Sequence, residues 1–276
     1  MTAERGHYRK LFDLTGRVAV VTGAVGILGK HFCAGLADHG ARIAVVDLDA
    51  AKCAAFAGEL KKIYGTDCIG VACDITDPGQ VKAMADKVEA VLGPIAILHN
   101  NAQGVTRDLD RYFAPMGTFE LETWREVMAV NLDGAFICAQ EIGSRMAARG
   151  GGSIVQTGSI YGILGPDQRI YEGSEYNGRP INTPAIYSAS KAGLNGLTRY
   201  LAAYWGHRNV RINTLTPGGV SSGQNETFNR RYSARIPMAR MAEADELVGA
   251  LVFLASDASS YLNGQDIVVD GGLAAW

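Results

Sequence analysis

The passage that most restricts how this 276-residue chain can fold is Arg17-Val18-Ala19-Val20-Val21 running straight into Thr22-Gly23-Ala24-Val25-Gly26-Ile27-Leu28-Gly29. An unbroken apolar, β-branched run reads as a strand buried on both faces, the kind found in parallel sheets covered by helices. The glycines then set a tight strand-to-helix turn. Such a turn lets backbone approach a pyrophosphate and aims the first N–H groups of the next helix at its charge. A second strand, Arg42-Ile43-Ala44-Val45-Val46, ends in Asp47, 18 residues after Gly29. That is close to the ~20 at which a carboxylate meets an adenosine ribose. Taken singly, the glycines would serve helix–strand packing and Asp47 a turn. Their succession makes Gly23, Gly26, Ile27, Leu28, Gly29 and Asp47 candidate dinucleotide contacts.

Strand and helix signals alternate along the rest of the chain. Strands are expected near 17–22, 42–46, 68–72, 95–99, 152–157, 210–215 and 266–269, and helices near 26–39, 50–63, 78–92, 121–148, 185–207 and 243–256. The pattern predicts an α/β, Rossmann-type doubly wound parallel sheet of about seven strands with helices on both faces, in one dinucleotide-binding and catalytic domain over 1–276. Three long connections, 101–120, 159–184 and 217–242, each follow a strand. They are expected to gather at the carboxyl edge of the sheet, where ligands bind in open α/β folds.

Tyr187-Ser188-Ala189-Ser190-Lys191 places a phenol and an ammonium one helical turn apart on one face. A free phenol titrates near ~10, and a fixed positive charge beside it favours the phenolate. The pair is therefore a candidate acid–base catalyst, with Lys191 expected to lower the Tyr187 pKa.

Several segments now stand in a telling order: Thr22 to Gly29, Cys73-Asp74-Ile75, Asn100-Asn101-Ala102, Val130-Asn131-Leu132-Asp133-Gly134, Gly158-Ser159-Ile160-Tyr161-Gly162, the Tyr187/Lys191 helix, Asn213 to Val220 through Pro217-Gly218, and Val269-Asp270-Gly271-Gly272. From Phe12 to Gly272 the chain resembles a single-domain member of the short-chain dehydrogenase/reductase family. The resemblance implies a tetrad in which Tyr187 is the acid–base, Ser159 orients the substrate oxygen, Lys191 also holds the nicotinamide ribose, and Asn131 anchors a water in a proton relay. It implies that Asp74 and Ile75 flank adenine, Asn101 and Ala102 line the ribose, and Val220 holds the carboxamide, with Ser222 where many relatives carry threonine. Asp47 can accept from both ribose hydroxyls but would repel a 2′-phosphate, and neither Leu48 nor Ala24 supplies a cation, so NAD is expected over NADP.

Two departures stand out. The middle glycine is Gly26 rather than residue 27, a spacing similar to the extended branch of epimerases and dehydratases, although that branch carries a separate C-terminal substrate domain. The 28-residue gap from Ser159 to Tyr187 is long for the family and implies an insertion loop near 163–184. Its Arg169, Tyr171, Glu172 and Arg179 suit hydroxyls and anions. Its Ile-Tyr-Glu-Gly stretch is similar to members associated with bacterial surface sugars. Arg230, Arg231, Arg235 and Arg240 fall in the expected substrate lid near 217–242, as an anion clamp or as a solvated surface.

The expected function is oxidation of a secondary alcohol of sugar, polyol or sugar-acid type with NAD. The alternatives are a 3-oxoacyl-thioester reductase, a nucleotide-sugar epimerase or dehydratase, and a non-catalytic NAD-sensing protein. A net charge of −2 gives no electrostatic case for nucleic acid or membrane partners. Cys33, Cys53, Cys68, Cys73 and Cys138 form no C-x-x-C pair, so no metal site or disulfide framework is expected. Residues Met1 to Lys10 are polar, no stretch of about 18 apolar residues occurs, and a cytoplasmic location is expected. By resemblance the chain forms a homotetramer or homodimer through helices near 121–148 and 185–207, the second carrying Leu194, Leu197, Leu201, Tyr204 and Trp205 widely around its surface.

Overall fold

A computed structural model describes residues 6–106, 108–176 and 178–276, with Tyr176 described by its backbone alone. Asn177 of the expected insertion and residues 1–5 of the polar N-terminal stretch lie outside the described residues. Nine strands occur among them: β1 Val18–Thr22, β2 Arg42–Asp47, β3 Cys68–Ala72, β4 Ile95–Asn100, β5 Gly152–Thr157, β6 Glu175–Tyr176, β7 Arg179–Pro180, β8 Val210–Pro217 and β9 Asp266–Val269. The helices are α1 His7–Lys10, α2 Ile27–Asp38, α3 Ala50–Tyr64, α4 Pro78–Leu92, α5 Leu109–Tyr112, α6 Leu121–Met128, α7 Ala135–Arg149, α8 Ala185–Trp205, α9 Glu226–Ser233 and α10 Val248–Ala255.

Seven strands form one parallel sheet in the order β3-β2-β1-β4-β5-β8-β9, while β6 and β7 make a separate antiparallel hairpin. The strand order reverses between β1 and β4, which opens a crevice at their carboxyl ends. Alternation along β1 explains the two-sided core. Val18 and Val20 pack with Val88, Ile142 and Trp205 of α4, α7 and α8, and Ala19 and Val21 pack with Phe32, Leu36 and Leu251 of α2 and α10. Each fully buried Val, Leu or Ile side chain contributes roughly 1.5–3 kcal/mol by leaving water, so the sheet is held from both faces. Asp49 caps α3 by accepting from Ala51 and Lys52 N–H, and Asp77 caps α4 ahead of Pro78.

The expected helix at 121–148 is interrupted. Residues Ala129–Gly134 form a wide π turn between α6 and α7, at a point where a Cβ on Gly134 would lie 2.7 Å from Ile75 Cδ1. The expected helix at 243–256 starts as a 3-10 turn, Ala244–Leu247, closed by a Glu243/Glu246 capping box before α10. Of the apolar residues read as spreading around α8, Leu194, Leu201 and Trp205 are buried in the core and only Tyr204 is strongly exposed. The reason is close approach by α7, where a Cβ on Gly143 would lie 2.5 Å from Trp205 Cζ3. All five cysteines are free, four of them buried and Cys68 half-buried. Among the described residues no helix is long and apolar enough to cross a membrane, and no three His, Cys, Asp or Glu side chains group as metal ligands.

Buried polar groups join the central strands at their carboxyl ends. Thr22 Oγ1 accepts from the backbone N–H groups of Asn101 and Ala102, each at 3.1 Å, and Asn101 Nδ2 donates to the Thr22 and Gly23 carbonyls, each at 3.2 Å. Thr157 Oγ1 donates to Asn101 Oδ1 at 3.3 Å and lies 2.9 Å from His99 Nε2. Thr157 spends its proton on Asn101, so His99 must donate from Nε2. Its Nδ1 is then a buried acceptor without a partner. Burial, with the Lys191 charge as the lesser cause, pushes the His99 pKa down to about 3.

Native His99 therefore refuses a proton that the unfolded chain accepts near pH 6.5, and stability declines as pH falls from about 6.5 toward 3, by at most ~1.4 kcal/mol per pH unit. His99→Gln, which keeps a donor for Thr157 and does not titrate, should lie below the parent in urea midpoint at pH 7 and close part of that gap at pH 5. A gap of constant size between the two pH values would refute the assignment.

Candidate active site

The glycine turn sits at the crevice between β1 and β4. Gly23 has φ +64°, and a Cβ there would lie 2.7 Å from Ala102 Cα, so only glycine lets the turn close against the end of β4. At Gly26 a Cβ would meet only the Gly23 carbonyl oxygen, at 3.3 Å, which leaves the turn open toward the cleft. Gly26 gives α2 no side-chain cap, so the first-turn N–H groups remain for an anion. The adjoining cleft, ≈ 640 Å³, is lined by Gly23, Gly26, Ile27, Leu28, Gly29, Asp47, Leu48, Asp74, Ile75, Asn101, Ala102, Val220 and Ser222, which the sequence had singled out. Ile27 and Leu48 stand on its rim, 57% and 71% exposed, apolar surface suited to a flat ring. Asp47 accepts from Val25 N–H at 3.2 Å and Leu48 N–H at 2.8 Å, so its carboxylate is fixed at the rim with lone pairs to spare. Among the described lining residues Asp47 and Asp74 are the only charged side chains. A dinucleotide fits these residues: a turn open at Gly26, an uncapped helix start and an anchored carboxylate.

A second cleft, ≈ 550 Å³, contains Ser159, Tyr187, Pro217 and Gly218 and shares Ile27, Leu28, Val220 and Ser222 with the first. Ser159 follows β5 as the cap of a 3-10 turn, accepting from Tyr161 N–H at 3.2 Å. Tyr187 and Lys191 share one face of α8. Lys191 is buried beneath the cleft, 5.9 Å from the centre of the Tyr187 ring, and donates to the Thr157 carbonyl at 2.8 Å. Burial pushes its pKa down to about 8.

The lowered phenol pKa expected from the Tyr187/Lys191 spacing is not found. Burial raises it, with the Ser159 hydroxyl opposing and the neighbouring Tyr171 adding to the rise. Lys191 is itself desolvated and committed to a carbonyl, so its charge does not overcome the dry surroundings. Asn131 lies in the π turn, accepting from Gly104 N–H at 2.8 Å and donating to Ser190 Oγ at 3.3 Å. Ser190 in turn donates to the Tyr187 carbonyl at 3.0 Å, so Asn131 reaches α8 through a serine.

The arginines do not form the anion clamp considered from the sequence. Arg169 pairs with Asp167 at 2.8 Å, Arg179 with Asp110 at 3.0 Å, Arg235 with Asp167 at 3.8 Å and Arg240 with Glu246 at 2.6 Å. Arg231 bonds the Glu172 and Arg169 carbonyls, and Arg230 is exposed. Asp167 within the insertion, and Asp110 and Glu246 from other segments, pair with these cations outside the cleft. What 163–184 puts into the cleft wall is Tyr171, Ile181, Asn182, Thr183 and Pro184, and α9 adds Phe228 and Tyr232. Sequence reasoning singled out only Tyr171 among these. It also missed His99 and Thr157, since a histidine inside an apolar strand and a threonine at a strand end carry no periodic signal.

An enoyl-(acyl carrier protein) reductase family model matches residues 23–274. The chain is 40% identical to the D-threitol dehydrogenase of Mycolicibacterium smegmatis, over 95% of this chain and 94% of that one. It is 36% identical to the L-tagatose-forming galactitol 2-dehydrogenase of Cereibacter sphaeroides, over 98% and 99%. The structure of a gluconate 5-dehydrogenase from Burkholderia cenocepacia in complex with NADP and tartrate superposes with a TM-score of 0.85 at 34% identity, covering 97% of this chain and 98% of that one.

Proposed function

The chain belongs to the short-chain dehydrogenase/reductase family, and from that premise we propose that it interconverts a secondary alcohol and a ketone on a polyhydroxylated substrate, with a nicotinamide dinucleotide as partner. The observation that carries this reading is the meeting of two hydroxyls, Ser159 and Tyr187, in a cleft continuous with the one at the glycine turn. The named relatives are dehydrogenases of polyhydroxylated compounds, which supports the substrate class. The whole chain acts as one dinucleotide-binding and catalytic domain, with 217–242 as the lid over substrate.

When bound, the nicotinamide supplies the acceptor or donor of hydride. The chain's own residues do the rest. The turn from Gly23 to Gly29 and the start of α2 hold the pyrophosphate, Asp47 the adenosine ribose, and Asp74, Ile75, Asn101, Ala102, Val220 and Ser222 the remaining surface. Ser159 donates to the substrate oxygen and fixes it beside the Tyr187 hydroxyl. The raised phenol pKa keeps Tyr187 protonated at neutral pH, the form that gives a proton to a carbonyl oxygen as it becomes a hydroxyl. In the reverse direction it is the deprotonated Tyr187 that takes the proton from the alcohol, with the Lys191 ammonium 5.9 Å from the centre of its ring. Asn131 and Ser190 hold the turn of α8 that carries both groups.

Tyr187→Phe tests the assignment. It should keep its circular dichroism and its NADH titration while kcat falls by ~10²–10⁴, the usual contribution of a positioned acid–base group. Near-parental turnover would exclude Tyr187 as the proton carrier.

Within the nicotinamide pair, NAD is the proposed partner. Asp47 is held at the rim, Asp74 adds a second negative charge, and the described lining offers no cation to a 2′-phosphate. Calorimetric titration of the parent should show NAD binding at least about tenfold more tightly than NADP, and Asp47→Ala should narrow the difference, since a removed like charge at this range is worth on the order of 1–2 kcal/mol. Equal affinities in the parent would overturn the preference.

A homo-oligomer, dimer or tetramer, is also proposed. Phe136 on α7 and Tyr200 and Tyr204 on α8 are 43%, 65% and 58% exposed, and the two tyrosine rings stack at 5.9 Å. Large aromatic residues left open together on neighbouring helices suit a partner surface. Light scattering at micromolar concentration should give a mass of two or four chains, and a monomer would rule this out.

A further inference from the structure

Resting on the polyhydroxylated-substrate reading, we propose that the cleft is built for an uncharged polyol or ketose and discriminates against aldonates. The argument is one of charge and wall chemistry. No Arg, Lys, His, Asp or Glu occurs among the described residues lining the Ser159/Tyr187 cleft. Among the described residues, Lys191 lies beneath the floor with its ammonium on the Thr157 carbonyl. Arginines of the two flanking loops, Arg169, Arg179, Arg235 and Arg240, are engaged by carboxylates outside the cleft. A carboxylate entering here would shed water and meet no opposite charge among the described lining residues, a loss that neutral hydroxyls do not suffer.

The wall offers what a polyol needs instead. Tyr171, Phe228 and Tyr232 form a continuous aromatic row, with ring centres 5.3 Å and 5.4 Å apart, against which the C–H face of a carbon chain can lie. Uncharged hydrogen-bonding groups are set around it: Gln103, Asn182, Ser222 and Gln224. Asn182 has a fixed orientation, because its amide nitrogen donates to the Phe113 carbonyl at 2.7 Å. Its Oδ1 is thereby left without a protein donor.

The test is a comparison of kcat/KM for galactitol, D-threitol and D-gluconate on the purified full chain, at one pH and ionic strength, run with NAD and with NADP. The better polyol should exceed gluconate by at least about tenfold. Gln224→Lys, which places an ammonium in the wall, should shift the ratio toward gluconate by about tenfold. Gluconate equal to or better than both polyols would overturn the uncharged-substrate inference while leaving the polyhydroxylated reading intact, and so would a Gln224→Lys ratio identical to the parent. Turnover of none of the three compounds, by a protein that still binds NADH in a fluorescence titration, would overturn both.

Discussion

The site rests on a line of buried hydrogen bonds across the carboxyl ends of β1, β4 and β5. Thr22 at the end of β1, Asn101 just after β4 and Thr157 at the end of β5 bond one another where the sheet would otherwise end in unpaired groups. Thr157 then offers its carbonyl to Lys191, so the same residue ties the glycine turn to α8. Such a network in dry surroundings is either complete or costly, because each unmet donor keeps its full desolvation penalty. The glycine turn, the Ser159 turn and α8 are therefore held in register by polar contacts at the edge and by apolar packing below it.

Much of this was legible in the amino-acid order, and for a physical reason. A parallel strand covered on both faces must be apolar throughout, so β1, β2 and β4 declare themselves, and a turn that needs positive φ or close approach must spend glycine, as at Gly23. The Tyr187/Lys191 pair was visible because helical spacing places side chains on a common face. The π turn at Ala129–Gly134 was not, because its sequence continues the helical pattern of α6 into α7 and the interruption serves tertiary contacts of Asn131 and Gly134.

Charge was the weakest guide. The arginines of the two loops suggested an anion, yet carboxylates from neighbouring segments, Asp110, Asp167 and Glu246, pair with them, and sequence alone does not say which pairs will close. Asp167 serves both Arg169 and Arg235, which joins 163–184 to 217–242 at the outer surface. The aromatic row from Tyr171 to Tyr232 was not legible as a row, since Tyr171 comes from 163–184 and Phe228 and Tyr232 from α9, and they meet only in the folded protein. The phenol pKa ran opposite to expectation because pair spacing is readable in one dimension whereas desolvation depends on everything packed around the pair.

The strand order also dictates when the crevice can come into being. β1 lies between β2 and β4, and its bonds to the second partner run from Val18 to Ile95 and from Thr22 to Asn101. A chain emerging from the ribosome can pair β1 with β2 early, but that edge of β1 stays open until about a hundred residues have been made. The last sheet strand, β9, comes at Asp266–Val269. Half of the cleft at the glycine turn is thus present in outline from the first βαβ unit, and the other half waits on β4, which is distant in sequence.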